Sequence, residues 1–310
     1  DAALMKGNLK SIGTIGGMVI CWSIYYAASK VMVNLTGSPY LAGMLLRAAA
    51  LLFLSAQLLA GHGFSKLFHQ GKVSLILVLI GVLGFLLDLF ANIGYAGGAL
   101  STGTALLKTD VLMANLITVF LYKKRLYPSD WLGTAVMLAG VLMVLGLNLS
   151  QISFNPTDLF FILSAMCVTA NAFVIKAAQD KYHADTDTIS YYINFVVLLL
   201  FSCSAAWAGD IRPENFGMMP GFWLLVLLGG LCQAGIYFFY YRNLKTHEVW
   251  VVKLYLLLMP VVSCFIGVVF LEEELTGQKI LGILIVLLGA ALILLRNRIN
   301  HEENLTCADG

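Results

Sequence analysis

The sequence predicts an all-α membrane protein: ten transmembrane helices arranged as two inverted-topology five-helix repeats. Three observations predict it: an apolar composition, ten hydrophobic runs of spanning length, and a Lys/Arg bias that alternates from loop to loop. Of the 310 residues, 60% are hydrophobic and 12% are charged, against roughly 25% charged in an average soluble domain. Most of the chain must therefore face lipid or other helices. The net charge of +2 is small and scattered, whereas nucleic acid calls for a clustered basic face, so no nucleic-acid partner is expected.

A bilayer core about 30 Å thick needs roughly 20 mostly apolar residues per helix. The first run, at about 11–33, meets that length and lacks a small-residue cleavage site, so it is expected to stay as a span. The second covers about 39–60, and the third, about 73–93, follows a loop carrying Lys66 and Lys72. Only Gly94-Tyr95-Ala96-Gly97-Gly98 parts it from the fourth, at about 99–121. Lys123, Lys124 and Arg125 precede the fifth, at about 130–149, and Asn155-Pro156 introduces the sixth, at about 157–178. The seventh, at about 188–208, lies between Asp180-Lys181 and Arg212-Pro213. The eighth, ninth and tenth occupy about 218–241, 248–271 and 278–296.

Orientation follows from the cations. Lys6, Lys10, Lys66, Lys72, Lys123, Lys124, Arg125, Lys181, Arg242, Lys245, Arg296 and Arg298 fall on one side, and only Arg212 and Lys279 on the other. A missed helix would scramble that pattern. Both termini, and the tails 1–10 and 297–310, are expected in the cytoplasm, with no fold of their own. The location expected is the bacterial inner (plasma) membrane.

The chain also repeats itself. Leu126–Leu145 aligns with Leu275–Leu294, with Gly133/Gly282 and Gly140/Gly289 in register at an offset of 149; upstream, Lys30/Lys176, Gly84/Gly230 and Tyr95/Tyr241 match at 146. Domains of 11–149 and 157–296 follow, and because five is odd the second must enter the membrane from the opposite side.

These features resemble the drug/metabolite transporter superfamily in its ten-span form, with two EamA-type domains. The likeness rests on Cys21-Trp22-Ser23 running to Lys30, on Arg47, and on Phe270-Leu271-Glu272-Glu273-Glu274-Leu275-Thr276 leading to Gly282. Lys124-Arg125 stands where the first half would carry the corresponding acid, and Val111 where it would carry a proline that Pro260 keeps in the second half. The resemblance implies alternating access around a central cavity lined by spans one to four and six to nine.

Charges at membrane depth are costly and therefore mark candidate sites. Lys108 and Asp110 lie about half-way along the fourth span. At 100° per residue, Thr104, Lys108 and Asn115 share a stripe, and Asp110 points about 200° away from Lys108. Lys108 is expected to hold an anionic group of a solute, with Asn115 beside it, and Asp110 to engage a neighbouring helix or a cation. An interhelical ion pair is the competing structural reading. Lys253 shares a stripe with Trp250, Leu257 and Pro260 and faces either the midplane or, by snorkelling, the cytoplasmic interface. Asp88 is a second acid, fit for a proton, a cation or a partner such as Lys30, and Arg47 ties the second span to its neighbours. Trp22, Tyr25 and Tyr26 lie at mid-depth, where a cavity or a helix contact must use their polar edges. Tyr237 is the deepest of the run Tyr237–Tyr241 and the one of it expected to reach the solute, and Tyr255 is a weaker candidate of the same kind. Trp131, Trp207, Trp223 and Trp250 suit an interfacial belt.

The six cysteines are scattered with neither disulfide nor metal-site spacing, and sequons at Asn34, Asn148 and Asn304 carry little specificity. No metal or cofactor is expected. No HExxH motif, nucleophile elbow or Walker A loop is present, which disfavours an enzyme and leaves any transport gradient-driven. The expected function is secondary transport of a small polar or amphoteric solute, such as an amino acid. Nucleotide-linked or phosphorylated solutes, multidrug export and ligand sensing are the alternatives. The expected partners are that solute, the lipid bilayer and, as an option, a second copy in a homodimer.

Overall fold

The computed structural model describes residues 2–60, 74–97, 106–121, 123, 128–144, 157–216, 220–270, 277–278 and 280–289. Every regular element among them is helical, as lipid requires when it offers the backbone no hydrogen-bond partner. In order they are α1 (Ala2–Thr36), α2 (Pro39–Ala60), α3 (Ser74–Gly97), α4 (Thr109–Phe120), α5 (Pro128–Val144), α6 (Asp158–Lys181), α7 (Thr186–Ala208) and α8 (Phe222–Thr246). The ninth run holds α9 (Val249–Tyr255), a 3₁₀ turn (Leu256–Leu258) and α10 (Met259–Phe270), and the tenth holds α11 (Ile280–Gly289). Six helices, α1 to α3 and α6 to α8, are long and apolar enough to cross a membrane, and four shorter apolar ones accompany them.

Each apolar run in the sequence thus contains a helix. The backbone departs from expectation at the N-terminus, where α1 begins at Ala2 and takes in most of the segment read as a tail. A helix already nucleated by a span costs little to extend, and nothing in Leu4-Met5-Lys6-Gly7-Asn8 forbids it. The cations at 66, 72, 124, 125, 279, 296 and 298, the Leu271–Thr276 part of the acidic motif, and Thr104 lie outside the described residues.

The most extensive packing joins the two halves, and it comes in repeat-related pairs: α1 with α8 and α6 with α3, α2 with α8 and α7 with α3, and α2 with α7 across the centre. Small residues make this close approach possible. A Cβ on Gly230 of α8 would lie 2.4 Å from the Ala49 Cβ and 2.7 Å from backbone atoms of α2.

The inversion can be read from α5 and α11. A Cβ on Gly140 would meet the Val286 amide nitrogen at 2.7 Å and the Gly282 carbonyl oxygen at 2.9 Å; one on Gly289 would meet the Met137 amide nitrogen at 3.1 Å and the Gly133 carbonyl oxygen at 3.3 Å. Each contact is the other with 149 added or subtracted, as a two-fold axis demands. As the chain climbs from 133 to 140, its partners descend from 289 to 282, so the two helices run antiparallel. Large side chains such as Leu52, Leu59, Leu75, Phe120, Leu224 and Phe265 point outward, as expected where lipid replaces water.

Candidate functional site

A cavity with about 450 Å³ of empty space, its mouth included, lies between α1, α2 and α3 of the first half and α6, α7 and α8 of the second. Its polar wall is short: Tyr25, Arg47, Asp88, Asn171 and Gln233, with Trp22 and Tyr237, Tyr240 and Tyr241 supplying aromatic surface.

Arg47 and Asp88 form its centre. Both are 3% exposed and joined as an ion pair, with Arg47 Nε donating to Asp88 Oδ2 at 2.8 Å and Nη2 donating to the same oxygen. The Tyr25 hydroxyl donates to that oxygen at 2.9 Å. The guanidinium lies 5.7 Å from the ring centres of both Tyr25 and Tyr237, within cation–π range, and its Nη1 donates to the Tyr237 hydroxyl. Asn194 of α7 fixes the arginine at both ends: its Nδ2 donates to the Arg47 carbonyl at 3.0 Å, and its Oδ1 accepts from Nη1 at 3.4 Å. Arg47 therefore contacts four neighbouring helices, through Tyr25, Asp88, Asn194 and Tyr237, and also forms part of the cavity wall.

Trp22 packs edge-on to Tyr240 with ring centres 4.8 Å apart. Tyr26 turns instead toward Tyr95, 6.0 Å between centres, and is buried off the lining. Tyr237 reaches Arg47, whereas Tyr255, half-buried, meets His247 at 6.0 Å.

The fourth-span charges form a second cluster. Lys108 does not line the cavity described above. Its Nζ donates to Met259 Sδ at 3.2 Å, because the turn that precedes α4 aims the side chain at α10. Asp110 engages a neighbouring helix, its Oδ2 accepting from Lys253 Nζ at 2.9 Å, and Thr169 of α6 donates to the Asp110 carbonyl at 3.2 Å. Lys253 is fully buried rather than snorkelling, held by Asp110 and lying 5.8 Å from the Tyr240 ring centre. Lys108 and Asp110 are each 3% exposed and make no hydrogen bond to one another. The side chain of Asn115 lies outside the described residues. Lys176 donates to the Leu244 carbonyl at 2.7 Å, near the C-terminal end of α8, and pairs with Asp180 at 3.5 Å.

Sequence reasoning missed Asn194, Asn171 and Gln233. All three are polar residues inside apolar helices, and the criterion that singled out Lys and Asp applies to amides in weaker form. Among the described residues, no group of three His, Cys, Asp or Glu could hold a metal ion.

The sequence model of the EamA-like transporter family matches twice, over residues 9–146 and 155–295. A solved crystal structure of a protein superposes with a TM-score of 0.70 over 91% of this chain and 99% of its own, at 19% identity, a likeness that shows a common fold. No curated protein matches the chain. With nearly its whole length accounted for by two copies of one domain, each packed on the other in inverted orientation, the chain belongs to the EamA-like transporter family.

Proposed function

We propose that the chain is a gradient-driven secondary transporter that moves a small amphoteric solute, of the size and chemistry of an amino acid, by alternating access at the Arg47–Asp88 cavity. The observation that carries this reading is a cavity wall containing one guanidinium and one carboxylate paired with each other. A zwitterion can insert between them, its carboxylate on Arg47 and its ammonium on Asp88, so that each broken contact is replaced in kind. An apolar drug offers no such exchange. A phosphorylated solute would want a second cation in the wall, and Lys108 and Lys253 sit behind it. The tyrosines add apolar area with hydroxyls able to meet a polar edge. In this reading both termini lie in the cytoplasm of a bacterial cell and the domains run over 11–149 and 157–296.

A thermal-shift screen of amino acids, nucleosides, sugars and cationic drugs on the purified protein, followed by counterflow of the hits in proteoliposomes, tests the proposal. Amino acids or close relatives are the expected hits, and Arg47→Lys or Asp88→Asn should cut counterflow at least tenfold, as loss of one charged contact implies. Folded variants with undiminished counterflow would remove the pair from the binding site.

A further inference from the structure

The cavity draws on equivalent positions of the two halves, yet its two sides differ in chemistry. At the offset of 146 residues, three matched pairs line it: Tyr25 with Asn171, Arg47 with Ile193, and Leu87 with Gln233. The first half contributes the charge, since Arg47 has an isoleucine as its counterpart and Asp88 has Ala234. The second half contributes amides: Asn171 answers a tyrosine whose hydroxyl is bound to Asp88, and Gln233 answers a leucine. Among the described residues that line the cavity, Arg47 and Asp88 alone are charged. One side is therefore ionic and the other neutral, aliphatic and amide-bearing.

Asn171 is the unsatisfied member of the neutral side. It lines the cavity at 6% exposure, and its Oδ1 is buried with no hydrogen-bond partner, a costly state for a polar atom. Asn194, by contrast, uses both ends of its amide on Arg47. The Asn171 Nδ2 lies 3.8 Å from the point where a Cβ on Gly84 would stand. Gly84 precedes Asp88 by four residues on α3, a rise of about 6 Å. The amide thus stands one helical turn along α3 from the carboxylate, a step that a short solute side chain can cover.

We propose that Asn171 is a specificity-determining residue, its amide hydrogen-bonding a neutral hydroxyl or carboxamide on the side chain of a zwitterion held by Arg47 and Asp88. This rests on the transporter reading and narrows its solute to small amino acids with an uncharged polar side chain. An amide offers a donor and an acceptor on one plane about a soft terminal torsion, so it can meet a hydroxyl or a second amide. An aliphatic side chain would leave Asn171 unpaired, and an acidic one would bring a second carboxylate to a side without a cation.

Dissociation constants of amino acids for the purified full chain, measured by titration calorimetry, test the inference with sets matched in shape: threonine against valine, and asparagine against leucine and aspartate. The wild type should bind threonine and asparagine at least about tenfold more tightly than their matched partners, the loss expected when a buried amide goes unpaired. Asn171→Leu should bring threonine and valine, and asparagine and leucine, within about threefold of each other, with aspartate still excluded; Asn171→Ala makes the same comparison with a smaller side chain. Wild-type affinities that do not separate the matched pairs, or ratios that both variants leave unchanged, would overturn the role of Asn171 and leave the Arg47–Asp88 site standing. Failure of both variants to fold would overturn it too, by making Asn171 a structural residue. Binding of no amino acid at all, polar or apolar, would remove the transporter reading for this solute class and the inference with it.

Discussion

Asp110 and Tyr95 show how one buried atom decides what a substitution does. Asp110 Oδ2 is bound to Lys253 inside the protein, so Asp110→Asn leaves a lysine without its counter-charge. It should destabilise by about 3 kcal/mol or more in equilibrium unfolding, and adding Lys253→Met should recover part of that loss. Tyr95 is the opposite case. Its hydroxyl is buried with no hydrogen-bond partner, so Tyr95→Phe removes an unsatisfied group and should leave the melting temperature unchanged or raised. Depth along a span was enough to single out Lys108, Asp110, Arg47 and Asp88, because charge in lipid is too costly to be incidental. Their partners were not legible. A helical stripe tells which residues share a face and nothing about which helix that face meets, so Lys108 was assigned to the solute and Asn194 to nothing.

At the level of elements, the α5–α11 seam depends on hydrogen atoms where other residues carry a methyl. A Cβ on Gly140 would strike backbone atoms at 2.7 and 2.9 Å, whereas the nearest atom to one on Gly289 is the flexible Met137 Cγ. Gly140→Ala should therefore cost more than Gly289→Ala, on the order of 1–3 kcal/mol for forced overpacking, seen as a larger drop in melting temperature. The spans themselves were plain in the sequence, since about twenty apolar residues between polar breaks leave lipid few other readings. The interruptions at Lys108 and at Leu256–Leu258 were not. The first falls at Lys108-Thr109-Asp110, which the sequence marks by its charge alone, and the second lies just before Pro260, which has no N–H to donate to the Leu256 carbonyl.

For the whole molecule, the two-fold relation was legible as an offset of 149 in the sequence and as parity in the span count, and the antiparallel glycine contacts express it in three dimensions. Reporter fusions at the two termini should both register on the cytoplasmic side; a split result would break the five-plus-five arrangement. The same seam sets a clock on biogenesis. Gly140 cannot meet Val286 until the ribosome has added well over a hundred further residues, on the order of ten seconds of synthesis. Through that interval the face of α5 that will bury its glycines has only lipid to pack against, and the first half waits unfinished for its mirror.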